Sequence, residues 1–161
     1  MFITSLLLSV FIDTGNIKPA KIYPPSAEYE FDISSNVLGV DANENIIRDD
    51  IDAYLLKTYT DPKQLKVIQD YAQRMQYALV LDPTDATDLR NNQLEALGDV
   101  VCFQAFDKDG RIQQDILNVT FNTKERQKAL RKYEKALKGT TFASPDECRY
   151  DHLEQIGEAT S

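Results

Sequence analysis

Histidine and cysteine, the residue types that most often build catalytic dyads and zinc sites, are scarce in this chain. It has one histidine and two cysteines among 161 residues, and Cys148 lies shortly before His152. This spacing suits a thiol nucleophile or a soft metal. A thiol enzyme also needs a group that orients its base, and zinc would need a carboxylate as fourth ligand. A small hydrolase or thiol enzyme is therefore the alternative, and a structural disulfide between Cys102 and Cys148 is the prediction.

Motifs of nucleotide-binding and hydrolytic enzymes are also missing. No GxGxxG, P-loop, GxSxG or HExxH pattern occurs, and no CxxC pair is present. A bridge between Cys102 and Cys148 would close a long loop and contribute about 3 to 4 kcal/mol to stability. An even cysteine count of this kind is typical of exported chains. We therefore expect a non-enzymatic protein from an oxidising compartment.

Basic residues are in deficit, with 18 Lys and Arg against 26 Asp and Glu and a formal net charge of −8. This balance argues against attraction to nucleic acid or anionic lipid and favours a basic protein partner. The candidate partner-binding residues are Asp41, Glu44, Asp49, Asp50 and Asp52. The specific hypothesis is a small acidic inhibitor of the immunity-protein kind, which would neutralise a toxin or hydrolase by covering its basic cleft.

Long apolar runs are limited to residues 1–12, which are too few to span a bilayer and match the length of a secretory signal core. No lysine or arginine precedes this run and no small-residue cleavage site follows it, so a buried N-terminal segment is the alternative. We expect a periplasmic or secreted protein without a stable membrane span. Residues 13–43 contain three prolines and two glycines without a sustained period, which indicates an extended arm with at most a short strand around residues 29–33.

Helical periodicity dominates residues 44–161, which predicts a mainly α, single-domain irregular bundle of four to five helices. The clearest helix starts at Asp61-Pro62 and ends before Asp82-Pro83. Its predicted apolar stripe consists of Leu65, Ile68, Ala72, Met75 and Leu79. A shorter helix precedes it, with apolar positions between Ile47 and Leu55. The last helix is predicted to have Asn122 as its cap and Gly139 after its final turn. Its inner face consists of Arg126, Leu130, Tyr133 and Leu137.

The stretch between residues 99 and 121 is compatible with two structures. The spacing of Leu89, Gln93 and Leu97 continues through Gly98 towards Phe106 and favours a third helix. The alternative ends that helix at Gly98 and pairs residues 100–106 with 112–121 in one short β-hairpin. In both cases residues 107–110, Asp-Lys-Asp-Gly, are predicted to form a plain turn and not a metal loop.

Residues 41–52 place oxygen-bearing side chains at positions 1, 3, 5, 9 and 12 of a twelve-residue window that leads into a helix, as in calcium loops. These side chains belong to Asp41, Asn43, Asn45, Asp49 and Asp52. Position 6, where calcium loops have glycine, is Ile46, and position 12 is aspartate instead of glutamate. These departures favour an Asn/Asp-rich turn and no cofactor. A calcium-stabilised binding module is the alternative.

Overall fold

The computed structural model describes residues 19–143 and 145–150, and in this part of the chain the protein is helical without a β-strand. The five helices found there are α1 (Asp49–Thr58), α2 (Pro62–Tyr77), α3 (Ala86–Phe103), α4 (Arg111–Thr120) and α5 (Lys124–Leu137). Helix α2 contacts α1, α3 and α4, and α3 also contacts α5. The predicted mainly α bundle is therefore confirmed. The hydrophobic segment 1–12 lies outside the described residues.

Helix starts are marked by local side-chain caps. The Asp61 carboxylate accepts hydrogen bonds from the N–H groups of Lys63 and Gln64, and Pro62 occupies the first helical position. Asp85 caps α3 in the same way. Because such bonds satisfy N–H groups that have no partner inside the helix, they fix where each helix begins. In the described chain no helix has both the length and the apolar composition that a membrane crossing requires.

The helical alternative for residues 99–121 is confirmed, and the hairpin is not formed. Helix α3 passes through Gly98, where an added Cβ would meet nothing within 4 Å, so no steric reason for a break exists there. It ends at Phe103, before Phe106. A turn then follows, with Gly110 at φ +68°. The Asp107 carboxylate accepts hydrogen bonds from the N–H groups of Ile112 and Gln113 and thereby starts α4.

The cap of α5 is a correction. Thr123, and not Asn122, is the N-cap, and its hydroxyl accepts a hydrogen bond from the Arg126 N–H. The Asn122 side chain instead donates to the Asp32 carbonyl and accepts from the Arg126 guanidinium. The Asn122 side chain, which local spacing predicts as the cap, therefore binds a segment that is distant in the sequence. Gly139 lies beyond the helix at φ +85°, as expected for a left-handed residue after a final turn.

The core contains buried apolar side chains from all five described helices, among them members of the apolar stripe predicted for α2. Ile68, Ala72 and Met75 of that stripe are buried, and Tyr71 packs edge-on against Phe103 with ring centroids 5.4 Å apart. Removing such side chains from water stabilises the fold by about 1.5 to 3 kcal/mol each. The packing of α2 against three helices therefore forms the frame that supports the loop and the arm.

Residues 19–48 form an arm without helix or strand, and the short strand expected around residues 29–33 is not formed. The arm crosses α4 and α5. Ala20 is buried, and its N–H donates to Glu134 of α5 at 2.9 Å. The Tyr23 N–H donates to Asn118 of α4 at 2.9 Å. Through these contacts the arm lies along helices formed by later parts of the chain.

Two buried arginines fix the second half of the arm. Arg126 of α5 is fully buried, and its guanidinium pairs with Asp32 at 2.8 Å. Arg48, which is 1% exposed, binds Asp50 through two nitrogens at 2.5 and 2.9 Å. The Asp32 N–H in turn donates to the Asp50 carboxylate at 2.7 Å. Asp32 thus links the two arginines and joins the arm to α1 and α5.

Candidate calcium loop and acidic pocket

The first candidate site is the loop of residues 41–52, which enters α1. The Asp41 carboxylate accepts hydrogen bonds from the N–H groups of Asn45 and Ile46, at 3.1 and 2.8 Å. The Asp49 carboxylate accepts one from the Ala42 N–H at 2.9 Å. These bonds close the chain into a tight turn around the oxygen-bearing side chains, so the spacing read from the sequence brings them to one loop.

Ile46 has the backbone conformation that calcium loops assign to glycine. Its φ is +72°, and Glu44 has φ +57°. A left-handed backbone costs roughly 1 to 2 kcal/mol for a residue with a Cβ. The sharp turn at position 6 is therefore present although the glycine is not. The isoleucine side chain is 49% exposed, so it turns away from the loop interior instead of filling it.

Asp52, at position 12, is 8% exposed and directs its carboxylate to the loop. Its Oδ2 accepts hydrogen bonds from Nδ2 of Asn43 at 3.1 Å and from Nδ2 of Asn45 at 2.6 Å. Its Oδ1 is buried and has no hydrogen-bond partner. Buried carboxylate oxygens normally accept hydrogen bonds or bind a cation, because the charged group loses its hydration on burial. The loop thus contains an unfilled acceptor.

The five proposed partner-binding residues do not all face solvent. Glu44 is exposed, and Asp41 and Asp49 are half-buried. Asp50 is used inside the molecule by Arg48, and Asp52 is buried. The acidic surface predicted from the sequence is accordingly smaller than expected, because carboxylates at the start of α1 bind the arm and the loop.

The two cysteines form a disulfide with an S–S distance of 2.02 Å. It joins Cys102, near the end of α3, to the segment of residues 145–150. Cys102 is buried and Cys148 is half-buried. The predicted pairing is therefore present in the structure. His152 lies outside the described residues.

The second candidate site was missed by the sequence analysis. It is an acidic pocket formed by Asp70 of α2 and by Glu95 and Asp99 of α3, and the Arg149 guanidinium occupies it with hydrogen bonds to Glu95 and Asp99. The Tyr150 hydroxyl donates to Asp70. Burial raises the pKa of the Asp99 carboxyl to about 7, against the opposing effect of Arg149. The predicted disulfide could have indicated this pocket. Arg149 follows Cys148 and Asp99 lies one helical turn before Cys102, so a bridge between the two cysteines brings Arg149 close to Asp99.

Neither candidate site is a metal centre built from acidic, histidine and cysteine side chains alone. Within residues 19–143 and 145–150, no group of three or more such side chains is arranged to hold a metal. A cation in the loop would instead need amide and backbone oxygens in addition to carboxylates.

Comparison of the chain with protein-family models, curated proteins and solved structures found no match.

Proposed function

We propose that the protein is a non-enzymatic binding module of an oxidising compartment, stabilised by one calcium ion in the loop of residues 41–52. The buried, unpartnered Oδ1 atom of Asp52 carries this proposal, since its carboxylate faces the side chains of Asn43 and Asn45. A buried carboxylate oxygen without a partner destabilises the folded state. A divalent cation would supply the missing partner.

The donor set of the loop suits calcium better than magnesium. Calcium binds carboxylate, amide, carbonyl and water oxygens at flexible angles, whereas magnesium requires near-octahedral geometry. The side-chain donors would come from Asp41, Asn43, Asn45, Asp49 and Asp52. Asn43 and Asn45 now direct their Nδ2 atoms to Asp52, and half a turn of each amide exchanges Nδ2 for Oδ1. The rotation of Asn43 gives up the hydrogen bond from the Asn45 N–H, and that of Asn45 gives up the one from the Ile47 N–H.

Two opposing features set the expected affinity. The left-handed backbone at Ile46 means that the loop is already turned before an ion enters. Asp52 is shorter than the glutamate that binds calcium through both oxygens, so it is expected to contribute one oxygen. We therefore expect weak binding, with Kd of about 10⁻⁴ to 10⁻³ M, the range of extracellular calcium modules.

The disulfide and the charge support the proposed compartment and the proposed partner. A disulfide is stable where no thiol pool reduces it, which supports a periplasmic or secreted location. The net charge of −8 and the exposed Glu28, Glu30 and Glu44 support a basic protein as partner. Charge complementarity of this kind increases the association rate and the specificity of a complex more than its affinity.

The test of the calcium site is thermal unfolding, followed by circular dichroism, with calcium, with magnesium and with chelator. At about 10 mM calcium and a Kd near 10⁻⁴ M, binding to the native state would add about 2.7 kcal/mol. For a chain of this size we expect Tm to rise by about 5 to 10 °C. Magnesium at the same concentration is expected to produce a much smaller rise.

Two variants in the same loop provide a matched comparison. Asp52→Asn removes the carboxylate that the ion would bind and should abolish most of the calcium-dependent rise in Tm. Glu44→Gln removes an exposed carboxylate at position 4, which supplies no ligand, and should retain the rise. An unchanged Tm of the native protein in calcium, or equal rises in the two variants, would refute the site.

A further inference from the structure

Residues 145–150 run along one stripe of α3 and are bonded to it and to α2 at neighbouring points. Cys148 is joined to Cys102, and the Arg149 guanidinium binds Glu95 and Asp99. The three partners on α3 are four and three residues apart, so they lie on one face of the helix. We call residues 145–150 the C-terminal strap and the side chains of Asp70, Glu95 and Asp99 the acidic pocket.

The acidic pocket is built around a buried charge. Asp99 is fully buried, and its Oδ2 atom has no hydrogen-bond partner. Arg149, which comes from the strap, is the cation bonded to its other oxygen. Lys66 binds Asp70 at 2.5 Å, and Arg74 lies 3.7 Å from Glu95 and acts on Asp99 only through its charge at longer range. The strap therefore supplies the cation that is hydrogen-bonded to Asp99.

The two sulfurs of the disulfide differ in exposure. Cys102 is 3% exposed, whereas Cys148 is half-buried. Thiol–disulfide exchange requires that a thiolate reach one sulfur while the other leaves. Attack is therefore expected at Cys148, and Cys102 is the leaving thiol. The strap carries the accessible sulfur, so the bond is open to an external dithiol although the α3 end is covered.

From these contacts we infer that the strap is a redox-controlled latch over a binding site for a guanidinium group. While Cys102 and Cys148 are joined, Arg149 occupies the acidic pocket. A dithiol that transfers two electrons and two protons breaks the S–S bond, forms two thiols and becomes a disulfide itself. The strap then leaves, and the pocket accepts an arginine side chain of a basic protein partner in the position that Arg149 had filled.

The tether explains why the latched pocket excludes other ligands. Arg149 is adjacent to the bridged Cys148, so its guanidinium is presented to the carboxylates at the high effective concentration of an intramolecular ligand. A partner arginine would make the same contacts without that advantage. Reduction removes the second attachment beside Arg149 and leaves this residue held only through the chain that continues from α5. Its effective concentration at the pocket then falls, and a partner arginine can compete for the carboxylates. This inference is independent of the calcium loop, which shares no residue with the pocket.

The probe is the fluorescein-labelled peptide PDESRY, the sequence of the strap with serine in place of cysteine, and binding is measured by fluorescence anisotropy on the full chain. The oxidised protein, the protein after dithiothreitol and the Cys148→Ser variant are compared. We expect the last two to bind the peptide at least about tenfold more tightly than the oxidised protein. Circular dichroism verifies that each form is folded.

Substitutions in the Cys148→Ser background locate the binding site. At pH 8, above the pKa of the Asp99 carboxyl, adding Asp99→Asn should weaken peptide binding at least about tenfold, because it removes the buried charge that the arginine neutralises. Adding Glu125→Gln, an exposed carboxylate on α5, should leave it unchanged. Equal affinity of the oxidised and reduced forms, absence of peptide binding from all forms, or equal effects of the two substitutions would overturn the inference.

A second measurement covers the case in which Cys148→Ser does not fold. Trypsin cleaves after Arg149, and the oxidised native protein should resist this cut while the guanidinium occupies the pocket. After dithiothreitol the rate of cleavage, measured by mass spectrometry of the released C-terminal peptide, should rise at least about tenfold. An unchanged rate would contradict the release of the strap on reduction.

Discussion

Replacing Arg126 by methionine tests whether the arm is fixed by a buried guanidinium. Every one of the five N–H donors of this group is used. Four hydrogen bonds go to the arm, to Asp32 through its carbonyl and carboxylate at 2.5 and 2.8 Å and to the carbonyls of Asn36 and Val37 at 2.8 and 3.1 Å. The fifth goes to Asn122 at 2.8 Å. Methionine retains the apolar stem and removes all five.

The expected destabilisation follows from what Arg126→Met leaves behind. Breaking a buried ion pair by removing one partner costs about 3 to 5 kcal/mol, because the other charge stays without compensation. The Asp32 side chain is 28% exposed and can be partly hydrated, so the lower end, about 3 kcal/mol, applies. Arg111→Met on α4 is the control. Arg111 is 85% exposed and pairs with the exposed Asp109 at 3.5 Å, so its loss should cost less than about 1 kcal/mol.

Urea unfolding at pH 7 measures both free energies, and hydrogen exchange of the amides around Asp32 shows whether the arm has come loose. A destabilisation by Arg126→Met that equals that of Arg111→Met would refute this account of the arm. The pH dependence has a defined sign. The Ser34 N–H and the Arg126 guanidinium lower the pKa of Asp32 from 3.8 to about 2. The stabilisation is therefore complete above pH 3.8 and is lost as the pH falls towards 2.

Two further predictions concern a buried acid and two glycines. Burial raises the pKa of Asp99 from 3.8 to about 7, so the free energy of unfolding should fall as the pH rises between these values, by at most about 1.4 kcal/mol per pH unit. Asp99→Asn should flatten the dependence of Tm on pH. Equal slopes of Tm against pH in the two proteins would contradict this. Gly39 has φ +71°, and in Gly39→Ala the added Cβ would overlap the Arg48 side chain, so this variant should lower the free energy of urea unfolding by about 1 to 3 kcal/mol. Gly98→Ala, with free space in α3, should raise it by about 0.5 to 1 kcal/mol. If the two variants changed the free energy of unfolding in the same direction, the close approach of Gly39 to the Arg48 side chain would be contradicted.

The helices could be predicted from the sequence because their determinants are local. The start of α2 follows from Asp61 and Pro62 alone, and its apolar stripe from spacing along one face. Spacing also placed Arg126 correctly on the inner face of α5, where it is fully buried. What spacing could not supply is the acceptor set of that arginine. The Arg126 acceptors on the arm lie about 90 residues away in the chain, and no local pattern marks them.

The two candidate sites also differ in whether their residues are close together in the sequence. The loop of residues 41–52 is recognisable because all its donors fall within one window, and Ile46 departs from the calcium pattern because glycine normally permits the sharp turn at position 6. The structure shows that Asp41 fixes this turn through two backbone N–H groups, which offsets the strain. The acidic pocket joins α2, α3 and the C-terminal strap. It becomes predictable only after the disulfide has been assigned.

Some carboxylates that contribute to the net charge form ion pairs with buried arginines and hold the arm in place. In the second half of the arm, Ile33 and Val40 are 82% and 66% exposed, so apolar burial contributes little to fixing these residues. Bonds of Asp32 to Arg126 and of Asp50 to Arg48 take that role. Because both arginines are buried, added salt should screen these pairs weakly, unlike pairs on the surface. Acid should loosen this part of the arm more effectively than salt, since protonation of Asp32 removes the charge itself.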